Sequence, residues 1–157
     1  MWVVKKSQVH GSGIFASTSI KKNTKIIEYI GEKITKSEGD RRSEKRLKKY
    51  LKSQKTGSVY IFELNKKYDI DGSPLYNKAR YINHSCDPNC EVTGTGLKVW
   101  VHAIKNIKKG EEFSYDYGFS FDEDYKNYPC RCRSKNCCGY IVREGSRWRI
   151  RKKKKRK

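Results

Sequence analysis

The chain has 157 residues, 35% of them hydrophobic and 34% charged, with a formal net charge of +20. That length suits one domain with a small appendage, and the low apolar share leaves some segments outside its core. No apolar run approaches the ~20 residues that span a bilayer, and the N-terminus "MWVVKKSQVH" lacks a signal-peptide apolar core, so an intracellular protein without a membrane partner is expected.

In chain order, "WVVKK" and "GIFAST" read as short strands around the turn "HGSG", and "TKIIEYIGEKI" alternates enough for a further strand or strand pair. Residues 36 to 54 are rich in helix formers, with Leu47, Tyr50 and Leu51 spaced for a thin apolar stripe. Residues 36 to 55 carry nine Lys/Arg against three Asp/Glu, a patch that either attracts polyanions or is simply solvated. "SVYIFELN" is a strand, "KYDIDGS" a turn marked by Asp-Gly, "LKVWVHAI" an alternating strand, and "GEEFSYDYGF" starts at a turn glycine. From Lys126 onward cysteines replace apolar periodicity. The end, residues 143 to 157, carries ten Lys/Arg against one acid and reads as a disordered basic tail that binds nucleic acid or serves as an import address. Short strands, glycine turns, one helix and a cysteine-rich end predict a mainly-β domain with a metal-stapled C-terminal flap.

All six cysteines follow residue 85. "PCRCRSKNCCGYI" offers Cys130, Cys132, Cys137 and Cys138, and a short loop can fold three of these thiolates onto one zinc ion. Adjacent cysteines seldom ligate one tetrahedral ion without strain, so a remote fourth ligand from "HSCDPNC" is favoured over Cys138. Spacing leaves Cys86 and Cys90 equally eligible.

Six pieces in order, "HGSGIFA", "EYIGE", "VYIFELN", "ARYINHSCDPNC", "GEEFSYDYGF" and "CRCRSKNCCGYI", resemble the SET-domain family of protein-lysine methyltransferases with a post-SET zinc flap. The resemblance covers nearly everything from Val3 to Val142. It implies a mainly-β, β-clip fold in which the Asn-His segment passes beneath a later loop as a pseudoknot. The implied layout is a SET domain over 1–125 with a helical insert at about 36–57, a post-SET flap over 126–142, and the tail over 143–157. It also implies S-adenosylmethionine and zinc as cofactors, with Cys86, Cys130, Cys132 and Cys137 on the metal, Cys90 in the core and Cys138 a spare thiol.

Carried over by position, Tyr117 resembles the catalytic tyrosine, and Tyr115 the position where Tyr limits the product to one or two methyl groups. Tyr29 resembles another channel tyrosine, and Phe119 a channel wall. The resemblance assigns cofactor contacts to His10, Ser12, Gly13, Tyr60, Asn83, His84 and Arg131. Arg133 stands where the family commonly has glycine. The implied substrate is a lysine in a basic, nucleic-acid-associated protein such as a histone; a monomer is expected, at chromatin in the nucleus if the protein is eukaryotic or host-directed and otherwise in the cytoplasm. Glu111, Glu112, Asp122, Glu123 and Asp124 are candidates for an acidic peptide groove. The alternative is a catalytically weak, zinc-containing module that binds nucleic acid or chromatin; intact Asn83, His84 and Tyr117 count against it.

Overall fold

The alternating runs become strands in the computed structural model, which describes residues 1–53 and 60–150. Two units divide the chain. The first comprises Met1–Thr24, Tyr81–Glu91 and the chain from His102 onward; the second comprises Lys25–Arg80 and Val92–Val101.

In the first unit, β1 (Trp2–Lys6) and β2 (Ser12–Ala16) form an antiparallel hairpin running from Trp2↔Ala16 to Lys6↔Ser12. β7 (Asn83–His84) pairs in parallel with β10 (Ser114–Tyr115), placing Asn83 opposite Ser114 and His84 opposite Tyr115. Just before β10, Glu112 bridges to Phe15, and the Phe113 N–H donates to the Ile14 carbonyl at 2.8 Å. The segment is therefore bonded first to β2 and then to β7, with Ile14, Ile82, Ile107 and Phe113 buried around it.

Tyr125, Cys138, Val142 and Ile150 form a separate apolar cluster, flanked by Phe121 and Tyr140. Residues 143–150 of the expected tail are therefore folded. A 3-10 turn at Glu144–Ser146 leads into a helical turn at 147–150, where Arg147 is 5% and Ile150 2% exposed. Basic composition suggested solvent, but Ile150 supplies an apolar anchor and the Arg147 guanidinium finds acceptors. The rest of the predicted tail, 151–157, lies outside the described residues, as do 54–57 of the predicted insert.

In the second unit, β4 (Glu32–Thr35), β6 (Tyr68–Asp71) and β5 (Ile61–Glu63) form an antiparallel sheet with β6 central. β3 (Lys25–Tyr29), β9 (Lys98–Ala103) and β8 (Cys90–Thr95) form a second sheet in the order β3-β9-β8. "YDID" was expected in a turn and is the central strand. Its acids are buried rather than exposed, because cations from α1 (Lys36–Ser53) reach them. α1 opens on Thr35-Lys36-Ser37-Glu38, where Thr35 Oγ1 accepts the Glu38 N–H at 3.3 Å, half of a capping box. Gly72, expected only as a turn residue, has a second reason to be glycine: any Cβ there would strike the Tyr29 ring. No helix among the described residues is long and apolar enough to cross a membrane.

Candidate active site and metal centre

β7 carries its side chains into the interior of the first unit, leaving Asn83 9% and His84 4% exposed. The Asn83 amide donates to the carbonyls of His10 at 3.3 Å and Ser12 at 3.1 Å, and to Glu112 Oε1 at 2.7 Å. Glu112 also accepts from Ser7 Oγ at 2.7 and 2.9 Å, one distance to each oxygen. Gly13 makes room for this knot, since a Cβ there would collide with the Glu112 carboxylate. Four of the predicted cofactor residues, His10, Ser12, Gly13 and Asn83, are thus brought together by Glu112. An acid expected in a peptide groove turns inward instead, because its carboxylate is the acceptor that Asn83 and Ser7 need. Glu111 lies exposed at the same turn, where its carboxylate accepts the Lys108 N–H at 3.0 Å.

Beyond β10 the chain turns back onto β7. The Tyr117 N–H donates to His84 Nδ1 at 3.2 Å, and its hydroxyl donates to the Ile82 carbonyl at 2.9 Å. Both ends of Tyr117 are therefore fixed by the Asn-His segment. With Nδ1 accepting, a neutral His84 ring carries its proton on Nε2, which faces Cys86 Sγ at 3.5 Å. Tyr117 stacks at 4.9 Å on Tyr115 and at 5.8 Å on Phe119, and Phe119 meets Tyr128 at 4.9 Å, so the predicted Tyr115, Tyr117 and Phe119 form one aromatic run. Tyr128, which no motif marked, extends it. Burial first, then the carboxylates of Asp122 and Asp124, raise the Tyr128 hydroxyl above the usual tyrosine pKa. Those two acids and Glu123 are exposed, as a groove requires, although Asp122 also caps the turn Glu123–Asn127 by accepting the Asp124 N–H.

Cys86, Cys130, Cys132 and Cys137 bring their four Sγ atoms within 4.8 Å of one another. The Cys86–Cys130 separation of 3.9 Å is close to the ~3.8 Å edge of a zinc tetrathiolate built from Zn–S bonds of ~2.3 Å. Donors surround the sulfurs as thiolates need: the Cys86 N–H reaches Cys132 Sγ at 3.4 Å, the Gly139 N–H reaches Cys137 Sγ at 3.3 Å, and Ser134 Oγ lies 3.2 Å from Cys132 Sγ. The hydrogen-bonded contact with Cys130, against burial, holds the Cys86 thiol well below the usual cysteine range, and the same contact pushes Cys130 up. Burial opposes ionisation of Cys132, yet Ser134 and the Cys86 N–H bring it down, while burial pushes Cys137 up to about 11. The donor set fits a soft, tetrahedral ion.

Cys90 lies apart in the core, where burial raises its thiol to about 12. Cys138 turns into the apolar cluster and donates to the Tyr140 carbonyl at 3.2 Å. Arg133 has φ +58, the left-handed conformation that favours glycine, so the turn keeps its shape despite the arginine. Arg131 is exposed on the flap.

Arg147 went unnoticed in the sequence. Its guanidinium donates to the Val142 carbonyl at 2.8 Å, the Cys86 carbonyl at 2.7 Å and Asp116 Oδ2 at 2.5 Å. Asp116 also accepts from the N–H groups of Gly118 and Glu144, both at 3.0 Å. The Val142 and Ile150 pair bracketing Arg147 was the one available signal that this stretch is folded.

Tyr29 and Tyr60 belong to the second unit. There the buried Tyr29 hydroxyl donates to the Tyr60 carbonyl at 2.9 Å, and the Tyr29 ring lies 4.5 Å from that of Phe62. The Tyr60 ring is covered by the Arg80 guanidinium at 4.7 Å, with Arg46 at 5.8 Å.

A mainly-β scaffold, a buried Asn-His strand locked to a tyrosine and a four-thiol centre define a SET-type protein. The chain belongs to the SET-domain family, whose family model matches residues 11–118. It is similar to histone-lysine N-methyltransferase 2D of Homo sapiens, 37% identical over 136 residues, covering 84% of this chain and 2% of that protein. It is also similar to histone-lysine N-methyltransferase trr of Drosophila melanogaster, 38% identical over 136 residues, covering 84% of this chain and 5% of that protein. The H3 lysine-4 specific histone-lysine N-methyltransferase of Saccharomyces cerevisiae is 36% identical over 141 residues, covering 87% of this chain and 13% of that protein. The chain thus matches only a small part of each of these curated relatives.

Proposed function

We propose that the protein is a protein-lysine N-methyltransferase that uses S-adenosylmethionine and modifies a lysine of a histone or similar nucleoprotein. The observation that carries this reading is Tyr117, fixed at its N–H by His84 and at its hydroxyl by Ile82 within the aromatic run. The relatives named above, all histone-lysine N-methyltransferases, support the reaction class and a chromatin setting in the nucleus.

When bound, S-adenosylmethionine supplies an electrophilic methyl group on a sulfonium. Asn83 commits its amide N–H groups to His10, Ser12 and Glu112, which leaves Oδ1 as an acceptor for the cationic donor. His10, Ser12, Gly13, His84 and Arg131 complete the proposed contacts. The lysine nitrogen reacts only when deprotonated, its proton passing to solvent before attack, and the Tyr117 hydroxyl, its hydrogen committed to Ile82, would accept a hydrogen bond from the neutral amine and orient its lone pair toward the methyl group. Tyr115 and Phe119 would wall the lysine channel against water and align the amine, the main source of rate in such a displacement. The Tyr115 hydroxyl occupies space that further methyl groups need, which favours mono- or dimethylation. Zinc on Cys86, Cys130, Cys132 and Cys137 would hold the flap to the Asn-His segment, since Cys86 is only two residues beyond His84.

Incubation with labelled S-adenosylmethionine and a panel of histones, ribosomal proteins and other basic proteins tests the proposal. Label on lysine is expected, with Tyr115→Phe shifting the product toward higher methylation. Retention on nucleic acid without any label would favour the binding-module reading instead.

A further inference from the structure

The cations of α1 fall into two sets. Lys36, Arg42 and Arg46 turn toward the sheet of their own unit: Lys36 pairs with Asp69 at 2.6 Å, and Arg42 and Arg46 meet Asp71, itself 1% exposed, at 2.8 and 2.7 Å. Arg42 also binds Glu32 and Glu38, both at 2.6 Å. These bonds fix how the helix is rotated. Gly39 tightens the fit, because a Cβ there would press on the Asp69 carboxylate.

The second set is turned outward by the same rotation. Arg41, Lys45, Lys48, Lys49 and Lys52 are all exposed. At 3.6 residues per turn they share one arc of roughly 100° and extend for about 16 Å along the axis. Lys45, Lys49 and Lys52 have no ion-pair partner among the described residues. Lys48 pairs with Glu44, but both are about two-thirds exposed or more, at 71% and 66%, so the pair is weak and readily exchanged. Of the apolar residues of the last turns, Leu51 is exposed to one side of the arc, while Leu47 and Tyr50 are half-buried on the other side. A membrane-surface helix would present them outward with the cations at its flanks.

We infer that this face of α1 is a docking surface for duplex nucleic acid, held through phosphates and without base readout. A duplex presents one phosphate per ~3.4 Å of axis on each strand, so the four lysines, spread over ~10 Å from Lys45 to Lys52, meet about three phosphates of one strand. The one arginine of the arc, Arg41, is held by Glu38 at 2.7 Å rather than free to read base edges, and lysine on a flexible stem is a point charge suited to a uniform polyanion. The inference does not depend on the proposed reaction.

The test uses the full chain, a fluorescent 20-base-pair duplex and anisotropy titrations across a salt series. Two variants lose equal charge: K45Q/K48Q/K49Q/K52Q on the arc, and K21Q/K22Q/K108Q/K109Q at exposed positions elsewhere. The arc variant is expected to lower the slope of log Kd against log salt by about three and to weaken binding at least tenfold at low salt, with the control within about threefold of wild type. Both variants should melt within a few degrees of wild type, as surface substitutions do. Equal losses in the two variants would assign binding to overall charge, and an intact arc variant would assign it to another segment. Tighter binding to an acidic polyglutamate peptide than to the duplex would make the surface a protein site. Each of these results overturns the inference.

Discussion

The carboxylate of Glu112 accepts the Asn83 amide at 2.7 Å and the Ser7 hydroxyl at 2.7 and 2.9 Å, so a residue of the β10 approach sets the rotamer of a residue on β7. Glu112 is a positioning residue. Glu112→Ala is expected to raise KM for the methyl donor about tenfold with kcat changed less than threefold, roughly the value of one hydrogen bond to a charged group. Glu112→Gln keeps an acceptor for Asn83 and should restore most of the loss. A kcat loss without a change in KM, or no rescue by Gln, would contradict this role.

The thiol geometry predicts about one zinc per chain. Cys86→Ser should lose it, because a neutral hydroxyl is a poor fourth ligand, whereas Cys138→Ser and Cys90→Ser should retain it. Elemental analysis of the purified variants decides the assignment. Retention of the metal by Cys86→Ser, or its loss from Cys138→Ser, would show that the wrong sulfurs have been grouped.

Much of this site was legible in the sequence, and the gaps have a common cause. The flap cysteines, the Asn-His pair and Tyr117 were found because a motif fixes residue type at fixed spacing. Spacing alone could not separate Cys86 from Cys90. The choice depends on which sulfur reaches the flap: Cys86, two residues past β7, lies within 4.8 Å of the flap thiols, whereas Cys90 opens β8 and is not in that cluster. The role of Glu112 was misread and Arg147 was missed because their partners lie far away along the chain: Asn83 is 29 residues from Glu112, and Cys86 is 61 residues from Arg147. A buried charge looks like any other charge until its partners are known. Likewise "YDID" alternates poorly because two acids occupy interior positions that only the α1 cations make tolerable.

Arg147 joins the helical turn at 147–150 to the Cys86 carbonyl and to Asp116. Arg147→Ala leaves Asp116 without its cation and should cost about 2–3 kcal/mol in urea denaturation. Lysine cannot reach three acceptors at once, so Arg147→Lys should recover less than half of that. A loss under about 0.5 kcal/mol would mean that this arginine is an incidental surface contact.

Asp71 predicts an acid limit for stability. Burial opposes its ionisation, but Arg46 and Arg42 outweigh it and hold the carboxyl well below the usual range. Its contribution is full above the ordinary aspartate pKa of about 4 and is lost as pH falls from there toward the depressed folded value. Thermal melting between pH 7 and pH 2 should show wild type losing stability below about pH 4. Asp71→Asn should start lower and decline less steeply over that window. Parallel pH profiles for the two proteins would contradict the assignment.

Single-turnover methyl transfer to a histone tail, comparing wild type with Tyr117→Phe at equal zinc content, bears most directly on the reaction. The hydroxyl held by Ile82 is expected to be worth about 10² or more in rate, with peptide and donor binding changed little. A Tyr117→Phe enzyme that transfers methyl at the wild-type rate, or a wild-type protein that transfers none to any lysine, would contradict it.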